Sequence, residues 1–351
     1  MVAGNGWTVE QFLQWWLAQK QEEGISYKTR VNYEAAVKRT ADIIGHLRVD
    51  AVTCTDIKHV VHNARVKSGV RTSEQTRSIL HNAFEDAIEL ECIGSNPVKR
   101  NRKNKKRLKG QRTELRKVRK TLDLQQVATL ISGTKDDWYH ALYVLAVTAG
   151  LRHSELLGLS WADVNLSTKP KKDLPARHVH VGKQQQRETG RGLLLTAVKT
   201  DESERTIPLY DVAVAALETH RNSQSDEFRK LGIPWRTSGR VFTSRLGTPL
   251  DPANVRRHFY AALERLKLPR VTVHELRHTA ASVMAMQGIP VHVAQRILGH
   301  AKPSTTQDIY THATDTDIRT FLPIMNAAYS FASDEPPEPA EGPPEPAEDA
   351  A

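Results

Sequence analysis

The sequence of 351 residues contains little cysteine and no long hydrophobic run. Its two cysteines, Cys54 and Cys92, cannot build a disulfide framework, and there is no Cys-x-x-Cys pair for a metal. No run approaches the roughly 18 apolar residues that a transmembrane helix needs. Residues 1–6 lack a basic segment followed by an apolar one, so no secretory signal is expected. These absences predict a protein of the reducing cytoplasm.

What the sequence does have is positive charge. It contains 50 Lys and Arg against 40 Asp and Glu, which gives a net charge of +10. From Asp334 onward the chain carries seven acidic residues and no basic one, so residues 1–333 carry +17. A globular body this basic favours a polyanionic partner, nucleic acid first, although solubility alone would also explain it.

Hydrophobic residues at helical spacing predict a small helical domain over residues 1–98. Thr8 begins a capping-box pattern with Gln11. Further helices are expected to start at Ser26 or Thr29, at Thr53 and at Ser73. The last of them should end near Gly94, with Pro97 as a stop signal.

Two segments have compositions that do not build a core. In residues 99–120, 13 of the 22 residues are Lys or Arg and Glu114 is the one acid, which predicts an extended basic linker, either solvated or lying along phosphates. Residues 333–351 combine six prolines with the acids and predict a disordered tail.

Residues 121–332 predict a second domain, mainly α with a small antiparallel β-sheet. Asp123 should cap a helix through Leu130, and Asp211 another through Leu217. Two strands, Leu193 to Val198 and Arg205 to Leu209, are expected with a polar turn between them. The other expected elements are a helix over 139–148, a strand over 177–182, helices over 252–266, 275–287 and 290–298, and an apolar helix around 321–329.

The segment His274-Glu275-Leu276-Arg277-His278 matches the His-Glu-x-x-His pattern of zinc metalloproteases. That interpretation needs a third ligand, and no Glu occurs between Glu275 and Glu335. A protease also gives no reason for so basic a body. The pattern therefore favours another use of these residues.

A longer ordered set of motifs resembles the tyrosine recombinases, the phage integrase family. Each motif is weak alone, but the order and spacing of the set are specific, and the likeness extends over about 122–330. The set comprises Thr-Ala-Gly-Leu-Arg-His-Ser-Glu at 148–155, His-Glu-Leu-Arg-His at 274–278, Leu-Gly-His at 298–300 and Ile-Tyr-Thr-His at 309–312. The implied fold is a helical, SAM-like core-binding domain followed by an α+β catalytic domain.

The resemblance implies that Tyr310 is the nucleophile and that Arg152 and Arg277 hold the scissile phosphate. A phenol with a pKa of about 10 needs an electropositive site and a base in order to attack. Two guanidiniums can bind the non-bridging oxygens bidentately and stabilise the charge that grows there. The product would be a 3′-phosphotyrosyl link and a free 5′-hydroxyl.

The remaining implied catalytic residues are two histidines and a lysine. His274 matches the general base or acid, and His300 matches a histidine that hydrogen-bonds a phosphate oxygen. Lys199 matches the hairpin lysine that protonates the leaving 5′-oxygen, with Lys183 as an alternative. Glu155 matches an acidic position expected to pair with an arginine.

The implied reaction needs no metal, ATP or other cofactor. The implied partner is double-stranded DNA that carries recombination sites, on which free monomers would assemble into a homotetramer. Directionality or architectural proteins are candidate further partners. The resemblance also implies a nucleoid-associated protein that is prokaryotic or phage-encoded. The role would be integration and excision of a phage, plasmid or conjugative element, or resolution of chromosome or plasmid dimers. A non-catalytic DNA-binding relative and a type IB topoisomerase stay open, as does the choice between a C-terminal helix (317–331) given to a neighbouring protomer and one packed in cis.

Overall fold

The computed structural model describes residues 6–98, 120–169, 176–198, 203–235, 239–299 and 320–330. The chain divides into two compact units, Met1–Lys117 and Val118–Ala351. Both are built mainly from helices, and the small sheets of the second unit are antiparallel, so the predicted fold class is confirmed.

The described part of the first unit consists of helices α1 to α4. The predicted capping box of Thr8 with Gln11 begins α1. Ser26, one of the two expected starts, caps α2, and Thr53 begins α3 as predicted, in a capping box with Asp56. The bounds are α1 Val9–Glu22, α2 Tyr27–Ile44, α3 Cys54–Ser68 and α4 Val70–Glu89, with a 3-10 turn at Val49–Ala51.

The predicted start and end of α4 were wrong. The helix begins after Gly69, whose φ of +88° lets the chain turn directly out of α3, and it ends at Glu89. Ser73 is buried inside the helix, where its hydroxyl donates to the Val70 carbonyl instead of capping.

In the second unit, helices contact both of the small sheets. Asp123 caps the first of these helices, as predicted, and does so in a capping box with Gln126. In the next helix every residue from 141 to 148 is buried. The helices are α5 Leu124–Gly133, α6 His140–Thr148, α7 His153–Gly158, α8 Asp211–Lys230, α9 Pro252–Arg265, α10 Val273–Met286, α11 Val291–Leu298 and α12 Leu322–Ala328; the strands are β1 Val164–Asn165, β2 His178–Val181, β3 Lys183–Glu188, β4 Gly192–Ala197 and β5 Arg205–Pro208.

The two strands expected to flank one turn, β4 and β5, do not pair with each other. Strand β5 pairs with β2 in a three-stranded sheet of order β1-β2-β5, whereas β4 forms a hairpin with β3. Strand β3, Lys-Gln-Gln-Gln-Arg-Glu, lacks the apolar alternation that marks a strand, so the pattern missed it. Contacts with other segments hold β3 in place. Gln185 donates to the Leu250 carbonyl, and Gly158 of α7 lies so close to Gln184 that a side chain at Gly158 would not fit.

Helix α8 was predicted too short and with the wrong cap. It runs to Lys230, and Asp211 is its first residue. The side chain of Asn326 in α12 caps it: its Oδ1 accepts from the Asp211 N–H at 3.0 Å. Pro323 lies in the first turn of α12, where a missing N–H costs nothing, so it begins the helix and does not break it.

Helix α12 is packed on its own unit. The Tyr329 ring is buried, stacks on Tyr210 and donates from its hydroxyl to the Val147 carbonyl at 3.2 Å. Of the helices that the structure describes, none has the length and apolar character needed to cross a bilayer.

Candidate active site

Arg152 lies directly before α7 and is held at two points. Its backbone N–H and its Nη1 donate to the two oxygens of Glu155, at 2.8 and 2.5 Å. Its Nη2 donates to the Gly299 carbonyl at 2.6 Å, across 147 residues of chain. The side chain keeps 32% of its surface exposed, so the oriented guanidinium remains accessible to a ligand.

Arg277 lies in α10 and is almost fully buried. Its Nη1 donates to the Gly150 carbonyl at 2.7 Å, and its Nη2 has no hydrogen-bond partner among the described residues. Burial, followed by the neighbouring charges of Arg152 and Arg205, lowers the pKa of Arg277 to about 9. The guanidinium is therefore still charged at pH 7 and has donor capacity for an added anion.

Both carbonyls that hold these arginines belong to left-handed glycines. Gly150 has a φ of +63°, and a Cβ there would lie 2.4 Å from the Leu298 side chain. Gly299 has a φ of +65° and ends α11, and a Cβ there would lie 2.9 Å from Nη1 of Arg205. Glycine at these positions permits the close approach that brings the two arginines next to each other.

Glu155 and Arg205 form a buried ion pair behind Arg152. Nη2 of Arg205 lies 3.0 Å from Oε2 of Glu155, with side-chain exposures of 4% and 2%. Burial alone would raise the pKa of Glu155, but the charges and hydrogen bonds of Arg205 and Arg152 outweigh it and bring the pKa below its usual value. Glu155 is therefore a carboxylate at pH 7, and it pairs with an arginine as the sequence predicted.

His274 lies in the first turn of α10, one turn before Arg277, and its side chain is exposed. Glu275, the would-be base of the zinc pattern, closes a capping box: its Oε2 accepts from the Thr272 N–H at 2.6 Å. The rings of His274 and His278 are 5.3 Å apart, edge to face. Within the described ranges no group of three His, Cys, Asp or Glu side chains could hold a metal ion.

Sequence reasoning missed His153, the residue after Arg152. Its Nε2 is buried without a hydrogen-bond partner among the described residues. Burial, with smaller contributions from the charges of Arg256 and His274, lowers the pKa of His153 to about 4, so the ring is neutral at pH 7. Its adjacency to Arg152 was the one signal in the sequence that could have drawn attention to it.

The structure thus brings Arg152 and Arg277 together and places His274 on the same helix as Arg277. Three predicted residues, Lys199, His300 and Tyr310, lie outside the described residues, as do residues 99–119 of the basic linker and 331–351 of the tail. The alternative lysine, Lys183, is exposed and lies opposite Ala197 in the β3–β4 hairpin.

Chemically, this arrangement suits an anion. Two guanidiniums, one accessible and one with spare donor capacity, stand beside a neutral and an exposed imidazole. Only one carboxylate, Glu155, touches them among the contacts described, and it is already neutralised by Arg205. Such a cluster can hold two oxygens of a phosphodiester and stabilise added negative charge.

Comparison with known proteins places this site in context. Residues 120–317 match the phage integrase family. A tyrosine recombinase XerC-like protein of Caldanaerobacter subterraneus subsp. tengcongensis is 32% identical over 198 residues, 55% of this chain and 50% of that protein. An integrase of Streptomyces ambofaciens is 31% identical over 214 residues, 60% of this chain and 53% of that protein.

A solved structure is also similar. The Tn1549 transposon integrase, in complex with transposon right end DNA, has a TM-score of 0.68 and 22% identity, over 90% of this chain and 98% of that one. At this identity the likeness shows the fold. The chain spans about half the length of the two sequence relatives above.

Proposed function

Because the chain belongs to the phage integrase family, we propose that it is a site-specific recombinase that cleaves and rejoins double-stranded DNA through a 3′-phosphotyrosyl intermediate. The observation that carries the proposal is the pair Arg152 and Arg277. Each guanidinium is anchored by one glycine carbonyl, and each keeps surface or donor capacity for a phosphate.

The proposed reaction conserves the number of phosphorus–oxygen bonds. The Tyr310 oxygen attacks the phosphorus, its proton passes to His274, and the bond to the 5′-oxygen breaks as Lys199 protonates that oxygen. Arg152, Arg277 and His300 hold the non-bridging oxygens while negative charge grows on them. The later attack of a 5′-hydroxyl reverses these steps, so neither ATP nor a metal is required.

The proposed partners follow from the same chemistry. Four protomers would act on two DNA sites and exchange strands in two steps, with directionality or architectural proteins as candidate accessories and the nucleoid as the place of action. Names of the relatives, integrase and transposon integrase, support integration and excision of a mobile element as the role. The basic linker 99–120 would add phosphate contacts.

Replacing the nucleophile tests the proposal. Tyr310→Phe should reduce covalent DNA trapping by more than about 1,000-fold, because no other group is proposed to attack, and should leave DNA binding intact. The protein is incubated with a library of nicked random-sequence duplexes, and adducts that survive detergent are recovered and sequenced. Tyr260→Phe, which alters a tyrosine of α9 stacked under Arg270, is the matched control and should trap like wild type.

The results of this experiment distinguish a recombinase from a non-catalytic DNA-binding protein and from a topoisomerase. Trapping by Tyr310→Phe would contradict the assignment of the nucleophile. Binding without trapping by the wild type would favour a non-catalytic relative, and supercoil relaxation without any site preference would favour a topoisomerase.

A further inference from the structure

Arg205, at the start of β5, has a buried guanidinium whose hydrogen bonds reach two distant segments and its near neighbour Ser203. Its Nε donates to the Ile297 carbonyl at 2.7 Å, and its Nη1 donates to the Ser203 carbonyl at 2.9 Å. Its Nη2 and Nη1 donate to the two oxygens of Glu155, at 3.0 and 3.4 Å. The planar fork of an arginine can hold three such partners in fixed directions.

Both distant segments lead to Arg152, a residue of the proposed cleavage reaction. Glu155 binds both the backbone N–H and the side chain of Arg152. Ile297 lies two residues before Gly299, whose carbonyl receives the other end of Arg152. One buried group therefore connects segments that are 50 and 92 residues away along the chain.

The charge of Arg205 is as important as its shape. The Glu155 side chain is 2% exposed, and a carboxylate at that depth requires compensating charge and hydrogen bonds. Arg205, which is equally buried, contributes more to that compensation than Arg152 does, so Arg152 can give one nitrogen to Glu155 and the other to the Gly299 carbonyl. Without Arg205, the inward pull of Glu155 on Arg152 would increase, and the guanidinium would leave the orientation in which it faces a ligand.

The turn at the end of α11 is shaped around the same guanidinium. A Cβ at Gly299 would lie 2.9 to 3.1 Å from Nη1, Cζ and Cδ of Arg205. Removing Arg205 would therefore leave space beneath Gly299, and the Gly299 carbonyl could shift away from Arg152.

We propose that Arg205 is a positioning residue of the cleavage reaction, which acts through Glu155 and through the Gly299 turn to orient Arg152 on the scissile phosphate. The inference rests on the proposed function. Arg205 itself, at 4% side-chain exposure, does not touch the DNA.

The test compares two substrates on variants of Arg205. The duplex recovered with the wild-type protein is made once with its natural phosphodiester and once with a methylphosphonate at the scissile position. The methylphosphonate lacks the negative charge, so its cleavage depends less on a well-placed guanidinium. A variant that only loosens the fold should slow both substrates by the same factor, whereas one that misplaces Arg152 should slow the phosphodiester more.

For Arg205→Met we expect the single-turnover rate of covalent adduct formation to fall about 100-fold on the phosphodiester, since an error of about 1 Å in a positioned group has that effect. The loss on the methylphosphonate should stay below about 10-fold, and DNA affinity should remain within about 3-fold, because many phosphate contacts set it. Arg205→Lys keeps the charge beside Glu155 but not the fork, so it should recover about 10-fold of the lost phosphodiester rate.

The control is Gln224→Met. Gln224 is fully buried in the same unit and bonds Trp161, Val241 and Thr243, but none of the groups that Arg205 holds. It should lower the melting temperature and leave the ratio of the two rates unchanged. If Arg205→Met does not fold, Arg205→Lys carries the test by the same ratio.

An unchanged ratio in the folded Arg205 variants would overturn the inference. The proposed function would survive that result, because the trapping and relaxation experiments on wild type and Tyr310→Phe test it separately.

Discussion

At the scale of single residues, Arg277 is placed for an incoming ligand at a cost to the free protein. It is 2% exposed, one of its nitrogens has no partner among the described residues, and two further arginines stand close by. The pKa of its guanidinium is lowered because burial and the neighbouring like charges both disfavour the charged form. A phosphate bound between Arg152 and Arg277 would stabilise the buried charge of Arg277.

Arg277→Met should therefore stabilise the free protein at pH 7 while abolishing cleavage. Removing the buried, crowded charge should outweigh the lost bond to the Gly150 carbonyl, and we expect the free energy of unfolding to rise by about 1 kcal/mol. Thermal unfolding measures the first effect and covalent trapping the second.

Arg240→Met is the matched control. Arg240 is partly buried, but its Nη1 is bonded to the Leu157 carbonyl and to Gln185, so its loss should destabilise the protein. A lower melting temperature for Arg277→Met would contradict the prediction.

At the scale of secondary-structure elements, a cap joins two helices of the second unit that lie 115 residues apart in sequence. Helix α8 has Tyr210 at its N-cap, and Tyr210 makes no capping bond with its side chain. Asn326 of α12 supplies that bond from 115 residues away and also donates to the Asp211 carboxylate at 2.6 Å. The docking of α12 in cis and the start of α8 therefore stabilise one another.

Asn326→Ala should lower the free energy of unfolding by about 1 kcal/mol, the usual effect of losing an N-cap acceptor. Asn222→Ala, at an exposed position inside α8, is the control and should change it little or raise it slightly. Urea unfolding of both variants gives the comparison. Equal stability of Asn326→Ala and wild type would show that the cap contributes nothing.

At the scale of the whole molecule, three histidines and one carboxylate with shifted pKa values determine how stability changes in acid. Burial lowers the pKa values of His140 and His153 to about 4 and also lowers that of His220. The pKa of Glu155 is lowered too, so its ion pairs with Arg152 and Arg205 are lost only as the pH falls below its usual range.

The stability of the second unit should therefore fall as the pH drops from 7 to 4. Folded His140 and His153 titrate near pH 4, whereas the unfolded chain takes up these protons near pH 6.5, so unfolding is accompanied by proton uptake between those values. After allowance for solvent screening of these half-buried rings, each should contribute about 1 kcal/mol. Urea titrations at several pH values measure the slope.

His140→Gln should make that slope shallower. His46→Gln, which alters an exposed histidine of the first unit, should leave it unchanged. A stability that is flat from pH 7 to 4 in the wild type would contradict the prediction.

Much of the local structure could be predicted from the sequence. The helix starts at Thr8, Thr53 and Asp123 were predicted because each cap joins residues three apart, so a short pattern contains all the partners that it needs. The order of the motifs around Arg152 and Arg277 identified the family for the same reason, since it is a property of the chain alone. The roles of Lys199, His300 and Tyr310 stay predictions.

Other features were decided only by the tertiary structure. Ser73 looked like a helix start, but Gly69 offered the backbone conformation that the turn required. Strand β5 pairs with β2 and not with β4, and Asn326 caps a helix that is far away in sequence. No sequence motif marked Arg205, and its proposed role follows only from its hydrogen bonds to Glu155 and Ile297. A sequence pattern records bonds between near neighbours, whereas pairing, buried charge and remote caps depend on which distant groups the folded chain brings within hydrogen-bond distance.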